Sequence, residues 1–276
     1  MYILRFNADQ NWLIKSPELL KLDSELSAAS LIAGLEANSK FKFEKTHRLG
    51  VYFEQLWNHL VSTGNDLELV AQNLQVIIDK HTFGEFDSII KQNDKTIHCE
   101  LAVKFYLQIG SGDKLSDWVG PNLKDRFDDK HQRLFAHQLA LSDKPEIMQW
   151  LKEKAISIDG KRLLTKGRLF YPYQDFIQKN FNFPQEVNPG HSKGFWISYI
   201  ELDSLLSSTD YHWYQLPRFY WLAEIEQIDE QLLSVETSFT GFSLQKIVAL
   251  EEGQEVMRGF VVNDDWLHKA KQRIKI

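Results

Sequence analysis

The stretch Thr82–Leu107, TFGEFDSIIKQNDKTIHCELAVKFYL, decides how the chain is read. In its second half Ile97, Cys99, Leu101, Val103, Phe105 and Leu107 alternate with His98, Glu100, Ala102, Lys104 and Tyr106. A period of two predicts a strand with one apolar and one polar face. Cys99 falls on the apolar face, where a thiol is an ordinary small core residue. The sequence QNDK at positions 92–95 offers a two-residue turn, because Asn93 and Asp94 tolerate the positive φ that hairpin turns demand. With Gln92 opposite Lys95, Asp87 falls opposite Glu100 and Glu85 opposite Ala102, all on the polar face. Directly opposed side chains have Cβ atoms roughly 4.5–5.5 Å apart, and like charges there are destabilising. A solvent-facing hairpin tolerates such a pair. On a ligand-gathering face, two or three carboxylates from neighbouring strands suit Mg²⁺, a hard cation that keeps several waters. Such an ion activates water and stabilises charge on a phosphate.

Outward from the hairpin the elements alternate in type. Upstream, residues 43–63 predict a helix whose Leu49, Tyr52, Phe53, Leu56, Trp57 and Leu60 form one apolar stripe with Glu54 at its edge. Residues 68–78 predict a strand. Ser16 as N-cap with Pro17 at the first helical position predicts short helical pieces after residue 16. Downstream, residues 123–142 and 145–156 predict two helices, the second opened by Ser142 or Asp143 with Pro145. Short strands are expected at residues 167–173, 195–200 and 259–264, with a loop-rich stretch at 180–194 and a closing helix at 265–274. A domain boundary is expected near Gly160, giving a core of residues 1–159 and a carboxy-terminal α+β region of residues 160–276, with packing of the two as one domain the alternative.

The bulk composition fits a soluble globular chain: 276 residues, 43% apolar and 25% charged. A formal net charge of -6 excludes a generally basic nucleic-acid coat, so any nucleic-acid contact needs a local basic groove. One cysteine forbids an internal disulfide. The amino-terminal residues lack a basic region followed by an apolar run, and no apolar stretch is of bilayer length; cytoplasm and no membrane contact are expected. No Walker loop, dinucleotide fingerprint, nucleophile elbow or zinc-spaced cysteines are present.

The order of the motifs, helix with LGVYFE, strand LVAQNLQV, GEFD, turn, HCELAVK and a closing helix, resembles the PD-(D/E)XK nuclease superfamily, in particular bacterial Holliday-junction-resolvase-like members. Across its length the chain also looks like an uncharacterised bacterial family, a domain of unknown function. The resemblance implies a restriction-endonuclease-like core of a mixed sheet flanked by helices, in the α/β (α+β) class, covering roughly residues 44–141. It implies Asp87 and Glu100 as ligands of Mg²⁺ or Mn²⁺, Glu54 as the helix glutamate that supports the metal or its waters, and Glu85 as an accessory acid. The family lysine follows the glutamate by two residues, but that place is Ala102. Lys104 keeps the parity of the face while adding roughly 6.6 Å of strand. A long side chain or a bulge would close that distance.

His98 shares the polar face as a water-positioning base, a ligand or a partner of its neighbouring carboxylate. Lys130, His131, Gln132 and Gln138 lie on the following helix, and Gln138 is the best placed to touch the site; a buried glutamine closing helix-end hydrogen bonds is the plainer reading. His47 reads as a helix-start feature. His191, Lys193 and Trp196, with Lys161, Arg162, Lys166 and Arg168, suggest either a basic, aromatic wall for a nucleic-acid strand or core aromatics beside a solvated turn. The expected function is a metal-dependent nuclease acting on DNA or RNA by direct attack of water, with Lys104 positioning that water. The alternative is an inactive scaffold of the same fold that binds nucleic acid or a protein partner.

Overall fold

Asn93 adopts φ 54° and closes a hairpin in which Gln92 pairs with Lys95, Ile89 with His98 and Ser88 with Cys99. This is the expected register. The computed structural model describes residues 2–38, 46, 48–64, 66–228, 231–235 and 244–275. Glu44, His47 and the first residues of the expected helix at 43–63 lie partly or wholly outside them. In chain order the elements are α1 (Tyr2–Lys15), α2 (Ala29–Ile32), α3 (Leu49–Thr63), β1 (Leu67–Ile78), β2 (His81–Gln92), β3 (Lys95–Gln108), β4 (Trp118–Val119), α4 (Phe127–Arg133) and α5 (Pro145–Glu153). They continue with β5 (Gly160–Pro172), α6 (Tyr173–Gln178), β6 (Ser192–Ser198), α7 (Leu202–Ser207), β7 (His212–Gln215), β8 (Leu233–Ser234), β9 (Leu244–Glu251), β10 (Gln254–Val262) and α8 (Asp264–Ile274). The strands form a mixed sheet in the order β1-β2-β3-β5-β6-β10-β9-β7-β8, with β4 on β3, and the class is α+β.

Two compact units divide the chain: Met1–Val103 with Lys130–Lys166, and Lys104–Asp129 with Gly167–Ile276. Gly160, where the sequence suggests a boundary, opens β5 instead, and the strand runs on through Lys166.

In the first unit, α3 packs on β1 and β2, and its stripe from Tyr52 to Val61 is buried. Trp57 Nε1 donates to Ser88 Oγ at 3.1 Å, so α3 covers the Ser88 face of the hairpin. The opposite face meets the segment around Leu141 and α5, where Leu141, Ile147 and Leu151 cluster with Phe86 and Ile89. Both faces of the hairpin are therefore buried, and the polar face expected to be open is a lined interior. Of the short helical pieces expected after Ser16, α2 (Ala29–Ile32) forms, but no helix starts at Ser16 and Pro17. The amino-terminal helix is α1, which ends where the Ser16 amide donates to the Trp12 carbonyl. Its polar residues obscure it in sequence, yet Asp9 is buried, accepting from Tyr52 Oη at 2.8 Å and pairing with Arg5 at 3.1 Å.

In the second unit, β6 runs parallel to β5 and to β10, and β9 joins β10 and β7 in antiparallel ladders. Ile247 and Ala249 pack with Phe195 and Trp213, while Val248 and Leu250 pack with Leu216 and Tyr220 on the other face. A strand buried on both faces needs a continuous apolar run, which IVAL at 247–250 supplies. Asn263 caps α8 by accepting from the Trp266 amide at 2.8 Å.

Candidate functional site

Strand β2 carries Asp87 at an irregularity. Phe86 and Ile89 share one apolar cluster, a spacing of three that a regular strand does not put on one face. On β1 the ladder pairs Gln72 with Ser88 and Leu74 with Phe86, and Asn73, between them, has φ 48°. Asn is one of the few residues that accept this conformation readily. The Asp87 carboxylate turns into the break and accepts from the Leu101 amide at 2.9 Å through Oδ2. Asn73 in turn donates from Nδ2 to Glu54 Oε2 at 2.9 Å and to Glu85 Oε1 at 3.4 Å. One distorted pair of residues thus gathers three carboxylates from two elements, Glu54 on α3 and Glu85 and Asp87 on β2.

Glu100, one ladder step beyond Cys99, is fully buried. Its Oε1 accepts from His98 Nε2 at 2.8 Å and its Oε2 from Gln138 Nε2 at 2.7 Å. Gln138 Oε1 accepts from the Lys130 ammonium at 2.6 Å. Lys130 lies on α4, which continues into a π-helical turn, Leu134–Gln138, that ends on Gln138. Such wide turns recur at functional sites because they re-aim side chains without ending the helix. His98 Nδ1 lies 3.3 Å from Ser142 Oγ, and the edge of its ring meets Phe86 at 4.6 Å between centroids.

Burial is the main influence on Asp87, Glu100 and Glu54. It raises Asp87 to about 7, helped by the Glu100 charge and opposed by the Leu101 amide and by Lys130. It raises Glu100 to about 7 against the Asp87 hydrogen bond, Lys130 and Gln138. The Glu100 charge opposes ionisation of Asp87, so the two groups are coupled. Near neutrality the pair therefore titrates as a unit, holding about one proton that a cation can replace. Glu54 is raised by burial and by the Asp87 and Glu85 charges, against its bond from Asn73. Burial pushes His98 down to about 4, so its imidazole is neutral. The partners then assign the tautomer: Nε2–H donates to Glu100 and Nδ1 accepts from Ser142.

Asp87, Glu100, Glu54, Glu85, His98 and Gln138 all come together in the first unit. Lys104 does not join them. Its ammonium lies 2.5 Å from Asp125 Oδ2, and both residues belong to the second unit. Among the described residues, the lysine whose charge acts on both Asp87 and Glu100 is Lys130. Asn73 was not singled out in the sequence; an asparagine inside an otherwise strand-forming run is the signal that marks it. Of the residues suggested as a basic, aromatic wall, Lys161, Arg162, Lys193 and Trp196 are half-buried and the others are buried. Arg168 is buried and donates to the Lys193 carbonyl at 2.7 Å, and His191 is buried between Tyr171 Oη and the Asn188 carbonyl at 2.8 and 2.7 Å. Lys193 donates to the His191 carbonyl at 2.9 Å, and Lys166 is buried on the Ser16 carbonyl. Among the described residues, no group of three or more His, Cys, Asp or Glu side chains is placed to hold a metal ion. No described helix is long and apolar enough to cross a membrane.

A family model described as a domain of unknown function, DUF1853, matches residues 8–262. No curated protein and no solved structure matches the chain.

Proposed function

The match spans most of the chain, so the protein belongs to the DUF1853 family, and we propose that it is a divalent-cation-dependent phosphodiester hydrolase of the PD-(D/E)XK kind. The observation that carries this reading is the buried Asp87–Glu100 pair on adjacent strands with Lys130 acting on both charges. Burial raises both carboxyls to about 7, with the Glu100 charge adding to the rise at Asp87, so the site favours added positive charge. Two carboxylates suit Mg²⁺ or Mn²⁺, which retain waters, and do not suit an ion that needs three or more protein ligands. When bound, the ion would supply Lewis acidity and a water of lowered pKa.

The other residues have separate tasks. Gln138 and the neutral His98 each take one oxygen of Glu100 and fix its orientation. Asn73 holds Glu54 and Glu85 beside Asp87, where they orient water. Lys130 places a positive charge for a phosphate oxygen and for the attacking water, the task that the family resemblance gave to Lys104. The substrate is nucleic acid, DNA or RNA, and the net charge of -6 makes this local cation the more necessary.

The test is incubation of the full chain with single- and double-stranded DNA and RNA, with Mg²⁺, Mn²⁺ or chelator. Cleavage is expected with either ion, and Asp87→Ala is expected to lower it by about 10²-fold or more. Equal behaviour of wild type and Asp87→Ala on every substrate would overturn the reading. A second reading, a scaffold of the same fold that binds without cutting, is favoured by one observation: both Glu100 oxygens already hold protein donors. Calorimetric titration with Mg²⁺ separates the two, since a scaffold has no need of a cation whose binding disappears in Glu100→Ala.

A further inference from the structure

The second unit holds a cavity of about 290 Å³ that the proposed hydrolysis does not use. Trp221, Asn122, Gln245, Arg218 and Lys246 line it with apolar walls between them, and among the described residues no carboxylate lines it.

The aromatic wall is fixed from several sides. The Trp221 carbonyl accepts from Arg258 Nη1 at 3.0 Å, and its Nε1 donates to the Leu216 carbonyl at 3.3 Å. Its ring meets Phe105 and Phe260 edge-on at 5.4 and 5.3 Å. Lys246 is only 1% exposed, with its ammonium 4.6 Å from the Trp221 ring centroid and 4.7, 5.1 and 5.4 Å from those of Phe105, Phe170 and Phe260. Aromatic faces hold an ammonium through their quadrupoles, and this one is among the groups that line the cavity. Arg218 adds an exposed guanidinium. Asn122 commits Oδ1 to the Lys124 amide at 3.0 Å, and Gln245 commits Nε2 to the Lys246 carbonyl at 3.2 Å. The first is left with an amide donor and the second with a carbonyl acceptor.

A preorganised indole, a donor and an acceptor, and a cation on the rim are the parts that recognise a planar heterocycle bearing an anion. We propose that this cavity binds one nucleotide unit, with its base against Trp221, the base edge on Asn122 and Gln245, and its phosphate on Arg218. The volume is at the small end of the roughly 300–1,000 Å³ of small-molecule sites, which suits one such unit and not two. The same unit can arrive as a mononucleotide or as the phosphorylated end of a strand.

The full chain is titrated calorimetrically, with chelator present so that the Asp87–Glu100 site plays no part. The ligands are AMP, GMP, CMP and UMP, ribose 5-phosphate, and an oligonucleotide with or without a 5′-phosphate. At least one mononucleotide is expected to bind, and ribose 5-phosphate to bind much more weakly. Arg218→Gln, a change at an exposed residue, is expected to weaken binding about tenfold. A 5′-phosphorylated oligonucleotide that binds as well as the mononucleotide assigns the pocket to strand ends; weaker binding assigns it to the monomer. The proposal is overturned if no mononucleotide binds in the millimolar range, if ribose 5-phosphate binds equally well, or if Arg218→Gln changes nothing.

Discussion

Gln138 stands between Lys130 and Glu100, receiving the ammonium on Oε1 at 2.6 Å and donating from Nε2 to the carboxylate at 2.7 Å. The lysine of this site is thus carried by the helix that covers the sheet and not by the strand that carries the glutamate. A strand residue two or four places from Glu100 moves along the sheet with the strand, whereas a covering helix can lower a long side chain onto the carboxylates from above.

Exchanging the two lysines tests this directly. Lys130→Met is expected to lower metal-dependent cleavage by about 10²-fold, because one positive charge acting on both carboxylates and on the phosphate is lost. Lys104→Met is expected to leave turnover within about threefold, since it breaks only a partly exposed pair with Asp125, of a kind that contributes about 1 kcal/mol or less to stability. Single-turnover rates on one substrate at saturating Mg²⁺ read both. Equal losses in the two variants would return the catalytic task to Lys104.

The Asp87–Glu100 pair sets the alkaline side of the stability profile without cation. Both groups are raised, from 3.8 and 4.5 to about 7, so the folded chain holds protons that the unfolded chain has released. Their contribution is complete below about pH 4 and is lost as the pH climbs to about 7. Asp87→Asn removes one of the two like charges and keeps an oxygen for the Leu101 amide. It is expected to melt above the wild type at pH 8 and to lose that advantage at pH 5, by thermal unfolding in chelator. Mg²⁺ is expected to raise the melting temperature of the wild type at pH 8 and to do nothing for Asp87→Asn, because only a cation bound to the folded state stabilises it.

Gly167 supports β5 for a reason its neighbours do not share. Its φ is +144°, and a Cβ at this position overlaps the Lys104 carbonyl, a backbone group that cannot swing aside. Gly167→Ala is therefore expected to destabilise the chain by more than about 3 kcal/mol, combining strain with a backbone clash. Gly160→Ala, at the other end of the same strand region, meets nothing within 4 Å and is expected to be close to neutral. Chemical denaturation of the two variants makes the comparison.

The hairpin, its turn at Asn93 and the convergence of Asp87 with Glu100 were legible because side-chain parity and turn chemistry are local rules. Gln138 was legible as a polar residue among apolar helix positions. What covers a strand is not local. The alternation in β3 reads as one wet face, but α3 and the segment from Leu134 to Glu153 bury both, and the polar side chains are satisfied by one another. Lys130 and Asn73 follow from that same covering and from a backbone distortion, neither of which a period of two records. The buried His191 and Arg168 show the converse: a basic, aromatic stretch that reads as surface is held inside by carbonyl and phenol partners.

Those buried histidines set the acid side. Burial holds His98 and His191 at about 4, well below the ordinary 6.5, so between these values the unfolded chain takes up protons that the folded chain refuses. Their contribution is present above pH 6.5 and is lost as the pH falls towards 4, in the opposite sense to the Asp87–Glu100 pair over the same range. His191→Gln separates the two effects, because His191 lies in the second unit and, among the described residues, its ring hydrogen-bonds only to Tyr171 Oη and the Asn188 carbonyl. The variant starts less stable at pH 7.5, having lost a fitted ring, yet it is expected to lose roughly 2 kcal/mol less than the wild type on going to pH 4.5. Urea titrations at both pH values give the difference of differences. An identical acid loss in wild type and variant would mean that His191 protonates in the folded state as easily as in the unfolded one.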